Sequence, residues 1–320
     1  MKIRIITTIA GLLVGYNLVA QQLANFSQYF FDPLTVNPAY AGSRGGLSGT
    51  LTYRNQWTGL GAAPVTEGLG LHSPIGTSNV GLGLQIINDH AGPMTNTNIS
   101  GIFTYTAKLT SELKLAFGLA ASLSDINIDF SEISIETAND PSFPTNKSSA
   151  WVPDANFGMY LYRDNFYAGL SANHLIQTDW KLQSAPITAV NTASFYRQYY
   201  IIAGYVAKFS EDFALRPSAL VQFVGNAPAL EELDCSLIYM KKFYFGLGVR
   251  NSFRKLIAGS DNEFIPSIEY DFGKGFRLGY SYDAYLSSLG NYSTGTHEIM
   301  LGWDLNGLTS KTRMVNPRYF

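Results

Sequence analysis

An all-β chain that closes as a transmembrane outer-membrane barrel of about 14 antiparallel strands is the fold class this sequence predicts. Three observations carry that prediction. Segments of roughly ten residues alternate apolar and polar positions, each bounded by turn residues. Charged residues make up only 14% of the chain and aromatic residues another 14%, a surface poor in charge for a water-soluble protein of 320 residues. The chain opens with a secretory leader, and no later run approaches the roughly twenty apolar residues of a membrane helix.

Taken in order, residues 1–20 read as a signal peptide. Lys2 and Arg4 precede an apolar run from Ile5 to Val19, and the small residue Ala20 marks the cut before Gln21. No cysteine follows that cut, which disfavours a lipid anchor. Cys235 is the only cysteine, so no internal disulfide framework exists. Residues 21–45 form an aromatic, turn-rich leader without periodicity, carrying Phe26, Tyr29, Phe30, Phe31 and Tyr40. So many aromatics would not stay in water, and the leader is expected to fold under or into the periplasmic mouth and narrow it.

The barrel is expected over 46–305. In its first strand Leu47, Leu51, Tyr53 and Trp57 share one face, and Ser48, Thr50, Thr52, Arg54 and Gln56 share the other. Further strands are expected at 65–73, 79–88, 98–109, 113–124, 154–162, 166–174, 199–208, 213–224, 233–240, 243–250, 263–272, 276–285 and 296–305. The fifth is the clearest, with Leu113, Leu115, Phe117, Leu119, Ala121 and Leu123 alternating with Lys114, Ala116, Gly118, Ala120 and Ser122. Every other connection is short (74–78, 110–112, 163–165, 210–212, 241–242, 273–275), and the intervening ones are longer, above all 125–152 and 174–197. Short periplasmic turns and long outer loops have that asymmetry. Both barrel ends, and a periplasmic C-terminal tail over 306–320, then fall on the turn side.

A soluble β-sandwich also alternates. The leader, the low charge and aromatics near strand ends (Trp57, Phe209, Tyr239, Phe272, Trp303), where a membrane girdle would sit, favour the barrel.

With the apolar face toward lipid, the lumen receives Arg54, Gln56, Lys114, Arg216, Glu232 and Asp234, followed by Glu269, Asp271, Arg277, Asp283, Glu298 and Asp304. Both signs are mixed, so a lining that pairs with itself is favoured over an ion-selective pore. Glycines at inward positions, among them Gly81, Gly118, Gly158, Gly279 and Gly302, mark either bends in the wall or the close approach of another backbone.

The net charge of −2 provides no basic field, and nucleic acid is excluded as a partner. No phosphate loop, dinucleotide fingerprint or Gly-x-Ser-x-Gly is present, and no cofactor is expected. His72, His90, His174 and His297 share no metal-ligand spacing. A hydrolytic pair would have to come from Ser73 or Ser171 with His72 or His174. Asp125, Asn127, Asp129 and Glu136 copy the ligand spacing of a calcium loop, but Phe130 replaces its turn glycine, and a strand with alternating acids is the preferred account. Cys235, in phase with Leu233 and Leu237, is expected to face lipid.

Phe26-Ser27-Gln28-Tyr29, Asn37-Pro38-Ala39-Tyr40-Ala41-Gly42 and Tyr53-Arg54-Asn55-Gln56-Trp57 resemble the PorP/SprF family of type IX secretion system membrane proteins of Bacteroidetes. Leu71-His72-Ser73-Pro74, Asn156-Phe157-Gly158 and the closing Pro317-Arg318-Tyr319-Phe320 extend the likeness over the mature chain, with Asn173 departing from the proline expected before His174-Leu175. The resemblance implies a non-enzymatic outer-membrane barrel serving protein export or gliding. It implies partners among the secretion motor and translocon, or a large adhesin with a type B C-terminal domain. It also puts partner binding on Phe26, Ser27, Gln28, Tyr29, Asn37 and Pro38, and on Tyr40, Gly42, Arg54, Gln56 and Trp57. The alternative class is a passive outer-membrane channel for small molecules.

Overall fold

A computed structural model describes residues 25–132, 147–180, 193–225, 227–252 and 262–305. Strands run at Leu47–Asn55 (β1), Val65–Pro74 (β2), Val80–Ala91 (β3), Met94–Lys108 (β4), Lys114–Asp129 (β5), Lys147–Arg163 (β6) and Phe166–Asn173 (β7). They continue at Gln198–Tyr205 (β8), Phe213–Val224 (β9), Leu230–Tyr239 (β10), Phe243–Ser252 (β11), Glu263–Gly273 (β12), Phe276–Tyr285 (β13) and Thr296–Leu305 (β14). β8 resumes over Ala207–Lys208 after a break at Val206. Each strand pairs antiparallel with the next, and β14 returns to β1 with Leu47 opposite Leu305 and Asn55 opposite His297. The 14 strands therefore form a closed barrel, which leaves no sheet edge unpaired. Signal residues 1–20, the tail 306–320 and Glu136 lie outside the described residues.

Alternation decides which side of the wall each residue faces. On β5, Leu119 is 57% exposed on the outside while Ala116, Ala120, Ser122 and Ser124 are buried inside. Leu51, Phe103, Leu170, Leu247 and Ile299 continue the outward apolar belt around the barrel, and Cys235 lies exposed on it. Near the turn end the belt becomes aromatic: Phe213, Tyr239, Phe243, Tyr270 and Phe272 form a chain of rings with successive centroids 4.9, 6.4, 4.8 and 4.7 Å apart. Such a girdle places amphipathic rings at the membrane boundary.

Three expectations need correcting. The connection placed at 89–97 is only Gly92-Pro93, because β3 and β4 run on to Ala91 and from Met94, with Ala91 opposite Met94. Likewise β5 reaches Asp129 and β6 begins at Lys147, so 125–129 and 147–152 of the segment placed at 125–152 are ladder. Trp57 leaves the outward face: β1 ends at Asn55, and Trp57 turns back with φ 54° while its amide donates to Thr296 Oγ1 at 3.0 Å.

Strands β4 to β6 consequently outrun their neighbours at the loop end. Their projecting inner face is covered by a small apolar cluster of Ile126, Ala150, Val152, Trp180 and Phe195. Trp180 and Phe195 arrive from 174–197, where Asp179–Trp180 and Ala193–Ser194 make a short two-stranded rung.

Candidate functional site

Residues 25–44 lie inside the barrel and fill it. Tyr29, Phe31, Ala39 and Tyr40 are at most 1% exposed. The local sequence builds this segment from two one-turn caps. Asp32 accepts from the Leu34 amide at 3.1 Å ahead of Pro33–Thr35, and Asn37 accepts from the Ala39 amide at 2.9 Å ahead of Pro38–Tyr40. Asx followed by proline fits such a turn, since the side chain satisfies a free amide and proline presets the backbone. The Asn37 side chain also donates to the carbonyls of Met159 and Leu170, at 2.9 and 3.3 Å, pinning the second cap to β6 and β7.

The wall answers group by group. Ser171 Oγ donates to the Val36 carbonyl at 2.6 Å, Thr104 Oγ1 to that of Ala41 at 2.9 Å, and Gln85 Nε2 to that of Leu34 at 3.3 Å. Leader carbonyls in a water-poor lumen thus find donors. A Cβ on Gly118 would overlap the backbone of Ala39, and one on Gly158 would overlap Asn37 Oδ1. Here glycine admits the leader, its backbone at Gly118 and the Asn37 side chain at Gly158. On β11 it does something else, because Gly246 and Gly248 make room for the side chains of Ser267 and Asp234. Aromatic leader residues meet cations: Arg216 lies 4.8 Å over Phe30 and Arg277 lies 5.0 Å over Phe31.

Charge networks hold both ends of the segment. In the loop-end half, the amides of Ser27 and Gln28 both donate to the Glu298 carboxylate at 2.9 Å, and Ser27 Oγ donates to Asp283 at 2.8 Å. Arg54 bridges Glu298 and Asp283 at 2.8 and 2.7 Å. Arg250 reaches Glu232 at 2.6 Å, Glu263 at 3.0 Å and Ser27 Oγ at 2.8 Å. At the turn end Arg44 is paired with Asp304, which also receives Arg277 at 3.3 Å, and Arg277 contacts Glu269 at 3.3 Å. Arg54, Arg277, Asp283 and Glu298 are almost completely buried, so each charge depends on its partners.

The eleven residues singled out for partner binding divide in two. Phe26, Ser27, Gln28, Tyr29, Asn37, Pro38, Tyr40 and Arg54 are buried within the lumen. Gly42, with φ 78°, donates its amide to His72 Nδ1 at 3.1 Å. Gln56 and Trp57 sit half-buried at the loop end, where the Gln56 amide donates to the Pro64 carbonyl at 2.8 Å. The placement gives all of them contacts within the chain. Lumen residues absent from the sequence-based set are Arg250, Glu263, Asp32 and Arg44. Arg250 is in phase with Gly246 and Gly248, a signal that was available.

Asp125, Asn127 and Asp129 stand in the ladder opposite Trp151, Ser149 and Lys147, with Asp129 paired to Lys147 at 2.9 Å. They belong to an extended strand. Among the described residues no group of three or more His, Cys, Asp or Glu is arranged to hold a metal. Of the serine and histidine candidates, Ser171 is held by the Val36 carbonyl, Ser73 by that of Pro74 at 3.0 Å, His72 by Gly42, and His174 by Asp154 at 2.7 Å.

The sequence matches the family described as type IX secretion system membrane protein PorP/SprF over residues 18–303. The chain belongs to the PorP/SprF family. It is an outer-membrane β-barrel of the type IX secretion system, and family and fold point to a non-enzymatic membrane protein. Solved structures of similar shape include a CymD monoaromatic hydrocarbon channel (13% identity, covering 84% of this chain and 90% of that one, TM-score 0.49). Others are a Pseudomonas aeruginosa FadL homologue (12%, 84% and 93%, TM-score 0.48) and the Ralstonia pickettii toluene transporter TbuX (10%, 85% and 92%, TM-score 0.48). No curated protein sequence matches the chain.

Proposed function

We propose that this PorP/SprF barrel is a plugged accessory of type IX secretion that assists export or surface attachment of a large adhesin carrying a type B C-terminal domain, or couples to the secretion motor. The turn end faces the periplasm in this reading, and the loop end meets the client. What supports it is the leader, which occupies the lumen and is held at one end by hydrogen bonds from Ser27 and Gln28 to the Glu298 carboxylate and at the other by the buried Arg44–Asp304 ion pair. A passive small-molecule channel needs an open passage. Here the leader takes up the middle of the lumen and engages wall groups such as Gln85, Thr104, Ser171 and Glu298. Residues of the leader reach a partner only if a partner draws the segment out or meets its exposed flanks.

Affinity purification of the tagged protein from native outer membranes in mild detergent, with mass spectrometry of what accompanies it, tests the reading. Recovery of motor or translocon proteins, or of a large adhesin C-terminal region, is the expected result. A solitary barrel that conducts in planar bilayers with its leader intact would overturn it in favour of the channel.

A further inference from the structure

We propose that the leader threads the lumen from the loop end down to the turn end, so that the processed amino terminus emerges on the loop side of the membrane, where an exported polypeptide can take hold of it. The polypeptide's part rests on the export reading; the threading does not.

The direction is set by contacts along β14, which descends from Thr296 at the loop end to Leu305 at the turn end. The amides of Ser27 and Gln28 meet Glu298, a Cβ on Gly302 would meet the Phe31 ring at 2.9 Å, and Arg44 pairs with Asp304. β2, which descends likewise, repeats the order. Asp32 and Leu34 lie against Gly70, whereas a Cβ on Gly42 would meet Pro74 and Gly81, on either side of the short turn into β3. The leader therefore runs down with β2 and β14, and β1 climbs back from Leu47, opposite Leu305. At the top, Asn25 and Phe26 share a cavity with Asp89 and Asn96, a cross-strand pair close to the Gly92-Pro93 turn.

This leaves one way out for the chain that precedes Asn25. Below it the lumen is packed, with Tyr29, Phe31, Ala39 and Tyr40 sealed from solvent, so the chain has no room to double back toward the turn end. Asn25 itself is half-buried. Glu298 stands two residues from the start of β14, a rise of about 7 Å. Residues 21–24 extend about 13 Å and clear that rim. The expected cut after Ala20 then has to precede closure, since an uncut signal would be carried through the lumen to the outside.

The segment delivered there, Gln21-Gln22-Leu23-Ala24, has no charged side chain and no proline. It offers free backbone groups and a terminal ammonium, which an extended polypeptide recognises by strand pairing. Traction on it from the loop side strips Ser27 and Gln28 from Glu298 first and draws the leader out along its own path.

Cysteine labelling of whole cells with a membrane-impermeant PEG-maleimide tests the proposal. Cys235→Ala removes the only native thiol. That background then receives, one at a time, Gln22→Cys, Ser131→Cys just beyond β5 at the loop end, and Ser111→Cys in the exposed turn after β4. Gln22→Cys and Ser131→Cys should be modified on intact cells to within twofold of their extent after outer-membrane permeabilisation, and Ser111→Cys at least tenfold less. Modification of Gln22→Cys only after permeabilisation, alongside Ser111→Cys, overturns the threading. So does protection in both states with heat-modifiable mobility retained. Should Ser131→Cys and Ser111→Cys exchange patterns, the membrane orientation of the export reading is wrong, and Gln22→Cys following Ser131→Cys still upholds the threading. Capping Gln22→Cys with the reagent on intact cells should slow client export at least threefold. Unchanged export would remove the exported polypeptide from the proposal while leaving the threading and the export reading intact.

Discussion

Two walls of the lumen solve the same problem in opposite ways. Along β3, β5 and β6 the wall is cut back to Gly81, Gly118 and Gly158, and the leader moves into the space, by its backbone at Gly81 and Gly118 and by the Asn37 side chain at Gly158. Along β9 to β12 the wall is built out with Arg216, Glu232, Asp234, Arg250 and Glu269, whose side chains fill the interior, Arg216 pairing with Glu269 and Arg250 with Glu232. A barrel of this width needs both, since a short leader cannot span it and an all-charged interior would bury more ions than it could pair. Glycine therefore means different things on the two sides. Opposite the leader it is a docking groove; on β11 it is clearance for a neighbour's side chain.

The largest effect that can break this comparison is removal of the leader. Deleting residues 25–44 should convert a protein silent in planar bilayers into one with stepwise conductance, while heat-modifiable migration on gels reports an intact barrel. Unchanged conductance with intact folding would mean that the charged wall alone closes the lumen. Arg54→Ala comes next. It strands Glu298 without its cation, leaves Asp283 only Arg250 at 3.3 Å, and should cost about 3–5 kcal/mol in denaturant unfolding from detergent, with reduced export of any client. Normal stability would show that Arg250 suffices to compensate both carboxylates.

Gly118→Val attacks the docking groove. Its side chain meets Ala39 backbone, which cannot swing aside, so about 1–3 kcal/mol of destabilisation and a gain of conductance are expected together. The smallest effect belongs to Gly246→Ala. The added methyl meets the hydroxyl ends of Ser267 and Ser236, which can rotate, and under about 1 kcal/mol with no conductance is expected. Equal consequences for the two glycine variants would erase the distinction between the walls.

Much of this was legible in the sequence because membrane strands advertise their apolar face. The alternation of Leu115, Phe117 and Leu119 against Ala116, Gly118 and Ala120 fixes both the existence of β5 and its inward side. The same phase sends Arg216, Asp283 and Glu298 into the lumen. What the pattern does not register is ladder that carries no lipid-facing side. Thr95 and Thr97 on β4, and Asp125, Asn127 and Asp129 on β5, give these stretches a polar outer face, yet backbone pairing and the inner cluster of Ile126, Val152 and Trp180 hold them as strand. That is why the tightest loop-end turn, Gly92-Pro93, reads from sequence as part of a long connection. The glycines show the other gap. Alternation places them inward, but whether a backbone or a side chain fills the space depends on a segment dozens to hundreds of residues away.

The grip of Ser27 on Glu298 joins residues 271 positions apart, and Arg44 meets Asp304 across 260. The leader is thus clasped by β14, the strand that also seals the cylinder against β1. Interior and enclosure must be completed in a single late event. A nascent barrel lacking β14 has neither a closed wall nor the carboxylates, Glu298 and Asp304, that clasp the two ends of its N-terminal segment. The stopper cannot be an afterthought of biogenesis: whatever assembles this protein in the outer membrane must shut the barrel around a segment already in its place.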